Sequence, residues 1–122
     1  SPKAQQMLGT DEPFSGRMFK SGILGTKKVV SMATLFAPGV EVEVAFCLGH
    51  DLPAGPTYSR NQVADAVSTL HPAIEVVDTR YTGGLKAGIF QIVADNGAHA
   101  AFIVGEGIVD WHDIDRKALR PN

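Results

Sequence analysis

The sequence predicts an α+β fold dominated by β-strands, in which a few short helices pack on a β-rich mixed sheet. Strand signals outnumber helix signals, and most of them are bounded by Gly, Pro or Asn residues typical of turns. One segment, 61–70, instead carries apolar residues at helical spacing and is expected to lie on the sheet. Because the chain has 122 residues, we expect a single domain over 1–122.

The first part of the chain is predicted to run from a short helix into two strands. Residues 1–8 form the helix, since the opening serine can cap it and the following proline suits its first turn. Strands are expected at 27–36 and 40–48. The turn at Pro38 and Gly39 between them would make this pair a hairpin.

The second part is predicted to alternate helices and strands. The helix over 61–70 is expected to end at His71 and Pro72, because the residue before a proline avoids the α-helical region. A strand at 73–79, a short helix at 89–94, a sharp turn at 95–97 and an apolar strand at 100–104 then follow, and 105–122 is polar with little pattern.

Composition narrows the classes of partner. The net charge of −2 gives no support for nucleic-acid or membrane-surface binding, and no apolar stretch is long enough to span a bilayer. The single cysteine, Cys47, excludes an internal disulfide and suits a reducing compartment, so we expect a cytoplasmic protein. Cys47 lies in a strand-like run and is expected to be a buried small hydrophobe rather than a nucleophile.

Three carboxylates in otherwise apolar strand-like runs are the strongest functional signal. Glu41 and Glu43 project from the same face of a strand, about 7 Å apart at their Cα atoms. Glu75 lies in a second apolar run. Burying carboxylates is costly unless they are paired or bind a cation, and hard divalent ions such as Mg²⁺, Mn²⁺ or Ca²⁺ prefer oxygen ligands. Spacing alone leaves open that the Glu-x-Glu pair is the wet face of a half-exposed sheet.

Three motifs, in this order, resemble the 2-keto-4-pentenoate hydratase and 4-oxalocrotonate decarboxylase family. They are Glu-x-Glu-x-Ala-Phe-x-Leu-Gly at 41–49, Pro-Ala-x-Glu-Val-Val-Asp-x-Arg at 72–80 and Ala-Asp-Asn-Gly at 94–97. The resemblance covers nearly all of the chain. It implies the β-rich core of the wider fumarylacetoacetate-hydrolase superfamily.

The resemblance also implies roles for individual residues. It makes Glu41, Glu43 and Glu75 the metal ligands, with Mg²⁺ or Mn²⁺ as the cofactor. Asp78 and Arg80 lie at the end of the second motif; Asp78 either helps order an active site or forms a structural ion pair with Arg80. His99 follows the Asp-Asn-Gly turn; it either reaches a substrate as acid or base or packs as an ordinary histidine.

The function implied by the resemblance is that of a hydro-lyase in aromatic catabolism. Such an enzyme adds water to a 2-hydroxy-dienoate or 2-oxo acid, and the bound ion would stabilise an enolate. An enolate also arises in decarboxylation and in C–C hydrolysis. The metal site therefore does not choose among these reactions, and a 2-oxo acid decarboxylase or C–C hydrolase is an alternative.

The chain also departs from the family pattern. The resemblance places an active-site lysine ahead of Ser1, a carboxylate at the position of Phe14, and further β-rich chain beyond Asn122. We therefore expect a partial catalytic domain that is weak or inactive alone. The alternative is a module that binds a metal and a 2-oxo acid or that oligomerises. Sheet edges and apolar faces left uncovered predict a homo-oligomer.

Overall fold

The computed structural model describes residues 2–55 and 57–115, and this part is built around one mixed sheet. The strands are β1 (Ile23–Gly25), β2 (Gly39–Leu48), β3 (Val67–Val77) and β4 (His99–Val104). The α-helices are α1 (Pro2–Leu8), α2 (Arg60–Ala66) and α3 (Ile89–Ala94), and short 3₁₀ turns connect several of these elements. The predicted α+β class with a β-rich mixed sheet is confirmed.

The order of strands across the sheet is β1-β4-β3-β2. β3 pairs antiparallel with both β2 and β4, whereas β1 pairs parallel with β4. In this register Glu41 of β2 lies opposite Glu75 of β3, and Glu75 lies opposite Phe102 of β4. The sheet thus brings the acidic positions of two separate strands side by side.

The helix α2 begins at a complete capping box. The side chain of Ser59 accepts a hydrogen bond from the Gln62 N–H at 3.3 Å, and the Gln62 side chain accepts one from the Ser59 N–H at 2.9 Å. The helix ends at Ala66, and the chain continues directly into β3, where Val67 and Leu70 are buried against Trp111. This cluster anchors the first residues of β3, at the end of the strand away from Glu75.

The expected strand at 27–36 and its hairpin are wrong. This segment contains only a 3₁₀ turn, Met32–Thr34, and Val29 is 91% exposed. At its end, the backbone N–H groups of Phe36 and Ala37 donate to the carboxylate of Asp78, at 2.9 and 2.7 Å. Because a buried carboxylate satisfies these donors, they do not pair with a neighbouring strand.

The expected helix at 61–70 is too long. Its last four residues belong to β3, and His71 and Pro72 lie inside that strand rather than ending a helix. Val67 and Leu70 are three residues apart, which is a helical spacing, yet both belong to β3 and are buried against Trp111. The burial expected for Cys47 is also wrong, because its side chain is exposed on β2.

Among the described residues, no helix has both the length and the apolar character needed to cross a membrane.

Candidate metal centre

Glu41, Glu43 and Glu75 converge at one place on the sheet. The first two share a face of β2, and the antiparallel register sets Glu75 directly opposite Glu41. One carboxylate oxygen of each residue lies within 4.8 Å of the others. In the part of the chain that the structure describes, no other group of three or more His, Cys, Asp or Glu side chains comes this close.

This arrangement is electrostatically unfavourable by itself. Like charges directly opposite one another on paired strands destabilise a sheet. Partial burial, and then the charges of Glu75 and Glu43, raise the pKa of Glu41. A set of three carboxylate oxygens is the donor chemistry that hard divalent cations prefer, and such a cation would relieve the repulsion. The residues therefore fit a divalent ion, and their role as ligands stays a prediction.

A cavity of about 480 Å³ adjoins two of these carboxylates. Glu41, Glu75 and His99 form part of its wall, and Phe14 and Gly97 form another part. Gly97 has φ +74°, and a side chain there would have its Cβ 3.3 Å from the Phe14 ring. The turn at 95–97 predicted from the sequence thus allows Phe14 to close over this side of the cavity.

His99 is joined directly to the acidic cluster. Its Nδ1 lies 2.8 Å from Oε1 of Glu75, and its side chain is 10% exposed. Its Nε2 is buried and has no hydrogen-bond partner among the described residues. The sequence left open whether His99 reaches a substrate site or is a packing residue. The structure places it in the cavity wall as a partner of Glu75.

Asp78 is placed differently. Its carboxylate is buried and accepts the two backbone hydrogen bonds from Phe36 and Ala37, and it does not line the cavity beside Glu75. The alternative that Asp78 forms an ion pair with Arg80 is wrong, because the ion pair of Arg80 is with Asp95. A catalytic role for Asp78 stays a prediction.

The pair of Arg80 and Asp95 is the feature near the site that the sequence did not reveal. Nε of Arg80 contacts Oδ1 of Asp95, and its Nη1 also donates to the backbone oxygens of Asp78, at 2.9 Å, and His99, at 3.2 Å. Burial alone would raise the pKa of Asp95, but hydrogen bonds from Arg80 and Thr79 outweigh it and lower that pKa. The sequence predicts Asp95 only as part of a turn, and no local sequence pattern connects it with Arg80.

The chain is similar to curated bacterial enzymes, although no family model matches it. It is 37% identical over 121 residues to a 2-keto-4-pentenoate hydratase of Burkholderia vietnamiensis. The aligned residues make up 97% of this chain and 44% of that protein. It is 30% identical over 112 residues to a 4-oxalocrotonate decarboxylase of a Pseudomonas species. This alignment covers 92% of this chain and 42% of that protein.

Solved structures agree with this relationship. The 4-oxalocrotonate decarboxylase from Pseudomonas putida, complexed with magnesium and adipate, matches with a TM-score of 0.80 and 26% identity, over 91% of this chain and 41% of that one. The same enzyme complexed with calcium and acetate matches with a TM-score of 0.77 and 27% identity, over 93% of this chain and 41% of that one. The chain therefore spans less than half the length of the proteins it matches. The resemblance drawn from the sequence motifs is confirmed.

Proposed function

We propose that this chain, a relative of the 2-keto-4-pentenoate hydratases and 4-oxalocrotonate decarboxylases, supplies the divalent-metal centre of a hydro-lyase acting on 2-oxo acids or their dienol forms. The observation that carries the proposal is the convergence of Glu41, Glu43 and Glu75 beside a cavity. The names of the relatives favour hydration as the reaction, because the relatives with 32–37% identity are 2-keto-4-pentenoate hydratases.

The three glutamates would hold Mg²⁺ or Mn²⁺. When bound, such an ion acts as a Lewis acid toward the oxygens of a 2-oxo acid. The matching decarboxylase holds magnesium together with a dicarboxylate, adipate, which supports a site for an acidic small molecule beside the metal. The volume of the cavity, about 480 Å³, falls in the range of about 300–1,000 Å³ common for small-ligand sites.

The other side chains near the proposed metal centre have different roles. Phe14 and His99 form walls that would keep water from part of the cavity. The carboxylate of Asp78 is turned to the backbone of Phe36 and Ala37, and we assign it an ordering role rather than a proton transfer. The role of His99 depends on its hydrogen bond to Glu75 and is developed below.

A decarboxylase is the second candidate. It is favoured by the solved structures, both of which are 4-oxalocrotonate decarboxylases. The same three glutamates would serve either reaction, because both pass through an enolate that a cation stabilises. A chain that binds a metal and a 2-oxo acid without turnover is the third candidate, since Phe14 stands where the sequence resemblance implies a carboxylate.

Metal binding is tested by thermal unfolding with and without Mg²⁺ or Mn²⁺. An ion at about 100 times its Kd should add about 2.7 kcal/mol to the free energy of unfolding and raise the melting temperature. Glu43→Ala should abolish the rise. Glu106→Gln, which removes an exposed carboxylate outside the cluster, should leave the rise intact. A wild-type melting temperature that neither ion changes would contradict the metal centre.

The reaction is tested by turnover. With Mg²⁺ present, consumption of 2-hydroxypenta-2,4-dienoate would support the hydro-lyase, and release of CO₂ from 4-oxalocrotonate would support the decarboxylase. Metal binding with turnover of neither compound would support the binding module. Both assays use Glu43→Ala as the control that removes a metal ligand.

A further inference from the structure

The contact between His99 and Glu75 assigns a proton to one ring nitrogen. An ionised carboxylate only accepts hydrogen bonds, so Nδ1 of His99 donates to Oε1 of Glu75 across 2.8 Å. The other nitrogen, Nε2, is buried and has no partner in the described part of the chain. In a neutral imidazole whose Nδ1 donates, Nε2 carries a lone pair and no proton.

The ring is held in this orientation. His99 is the first residue of β4, and Nη1 of Arg80 donates to its backbone oxygen at 3.2 Å. The backbone of Gly22 lies close on the Nε2 side, where a Cβ would come 3.8 Å from that nitrogen. With only 10% of the side chain exposed, the ring has little room to turn away from Glu75.

This hydrogen bond restricts how Glu75 can bind a cation. A carboxylate has two oxygens, and Oε1 of Glu75 already accepts from His99. The hydrogen bond takes one lone pair of Oε1 and fixes the plane of the carboxylate, which favours Oε2 for a cation shared with Glu41 and Glu43. Mg²⁺ takes near-octahedral coordination and needs only one oxygen from a carboxylate, whereas Ca²⁺ takes about six to eight ligands and often both oxygens.

We propose that His99 is a positioning residue that keeps Glu75 to one-oxygen coordination and thereby makes the centre select Mg²⁺ or Mn²⁺ over Ca²⁺. This inference rests on the proposed metal centre and adds a cause of its ion preference. Groups that hydrogen-bond to metal ligands commonly change metal affinity by about 10–100-fold when removed. The effect of His99 should therefore be measurable by binding alone, without turnover.

The test compares the dissociation constants of Mg²⁺ and Ca²⁺ by isothermal titration calorimetry. His99→Leu removes the donor, and we expect it to weaken Mg²⁺ binding about tenfold or more and Ca²⁺ binding less, which lowers the preference for Mg²⁺. His99→Asn keeps an N–H close to the position of Nδ1 and gives up only Nε2, so it should retain the wild-type preference. His50→Leu, which removes an exposed histidine of a loop, is the matched control and should also retain it.

An unchanged preference in His99→Leu would overturn the role of His99, as would an equal loss in His99→Leu and His99→Asn. A wild type that binds neither ion would overturn the metal centre as well, so the two failures are distinguishable. A measurement on the wild type does not depend on how the variants fold. ¹⁵N NMR of the Mg²⁺-loaded protein should show His99 protonated at Nδ1 and bare at Nε2, and the opposite tautomer would overturn the inference.

Discussion

Arg80 holds the carboxylate of Asp95 at both oxygens: its Nε contacts Oδ1, and its backbone N–H donates to Oδ2 at 3.0 Å. The same side chain reaches the backbone oxygens of Asp78 and His99. The end of β3 is thereby tied to the turn before β4. Since Glu75 lies on β3 and His99 begins β4, this ion pair fixes the two strands whose side chains meet at the candidate metal centre.

Replacing Asp95 with Asn should lower the stability at neutral pH by about 2 kcal/mol, because hydrogen bonds to a charged group are lost. Hydrogen bonds from Arg80 and Thr79 hold the pKa of Asp95 below its ordinary value of 3.8 despite its burial. This contribution is therefore complete above the ordinary pKa and is lost as the pH falls through the lower folded value. Urea denaturation from about pH 6 to pH 3 should show a shallower acid loss in Asp95→Asn than in wild type.

Asp65→Asn is the control for that comparison, since Asp65 is an exposed residue of α2. It should follow the wild-type dependence on pH. If Asp95→Asn and wild type lose stability in parallel across the acid range, the carboxylate of Asp95 is not the group that the Arg80 contact stabilises.

Glu41→Gln should stabilise the metal-free protein by up to about 1 kcal/mol, because it removes one of two like charges that face each other across β2 and β3. The same substitution should weaken the stabilisation by Mg²⁺, because it removes an anionic ligand. The measurement is the free energy of unfolding with a chelator and with Mg²⁺. Glu106→Gln should change neither value, and loss of metal-free stability in Glu41→Gln would contradict a repulsive cluster.

Trp111→Ala should destabilise the protein by about 3–5 kcal/mol, because a fully buried aromatic side chain is replaced by a cavity. Trp111 is 2% exposed, packs against Val67 and Leu70, and has the ring of Phe46 edge-on at 5.6 Å. Val109→Ala is the nearby control, since the side chain of Val109 is 70% exposed. Chemical denaturation gives both values, and equal costs for the two variants would contradict a core role for Trp111.

The elements that were predicted correctly are those whose pattern of polar and apolar residues fits only one kind of secondary structure. β2 begins with alternating acidic and apolar residues, β4 is apolar after His99, and α3 lies between Gly88 and the turn at 95–97, so these two strands and this helix follow directly from the pattern. The shared face of Glu41 and Glu43 required only the two-residue period of a strand. Their meeting with Glu75 came from the family resemblance, because spacing does not give the register between strands.

The parts that failed depend on contacts distant in sequence. The segment 27–36 has a strand-like composition, but the side chain of Asp78 takes up N–H groups at its end. Val67 and Leu70 have a helical spacing, but in the structure they lie in a strand and are buried against Trp111. Arg80 is two residues from Asp78 and fifteen from Asp95, yet its ion pair is with the more distant carboxylate. Neither amino-acid composition nor the spacing of apolar residues indicates which distant residue a side chain will contact.

We expect the chain to form a homo-oligomer through the apolar face of β2. Alternate residues of β2 expose this face, with Val40 69% and Val42 71% accessible, and β2 is an edge of the described sheet. Pairing of two copies would cover both the apolar side chains and the open edge. Sedimentation should show at least a dimer at tens of micromolar, and Val42→Lys should shift it to monomer. Val29→Lys, at an exposed position outside the sheet, is the control, and a wild type that sediments as a monomer would contradict the expectation.

We expect weak hydratase activity that a carboxylate at position 14 increases. Phe14 lines the cavity beside Glu41 and Glu75, at the position where the sequence resemblance implies an acid. General acid–base catalysis typically contributes about 10²–10⁴-fold, so a wild type without that acid should turn over 2-hydroxypenta-2,4-dienoate below about 1 s⁻¹ with Mg²⁺. Phe14→Asp should raise kcat by about tenfold or more. Phe14→Leu opens the cavity without adding an acid and should give no increase. Equal rates in the two variants, or a wild-type rate already in the usual enzyme range, would show that the carboxylate is not the missing group.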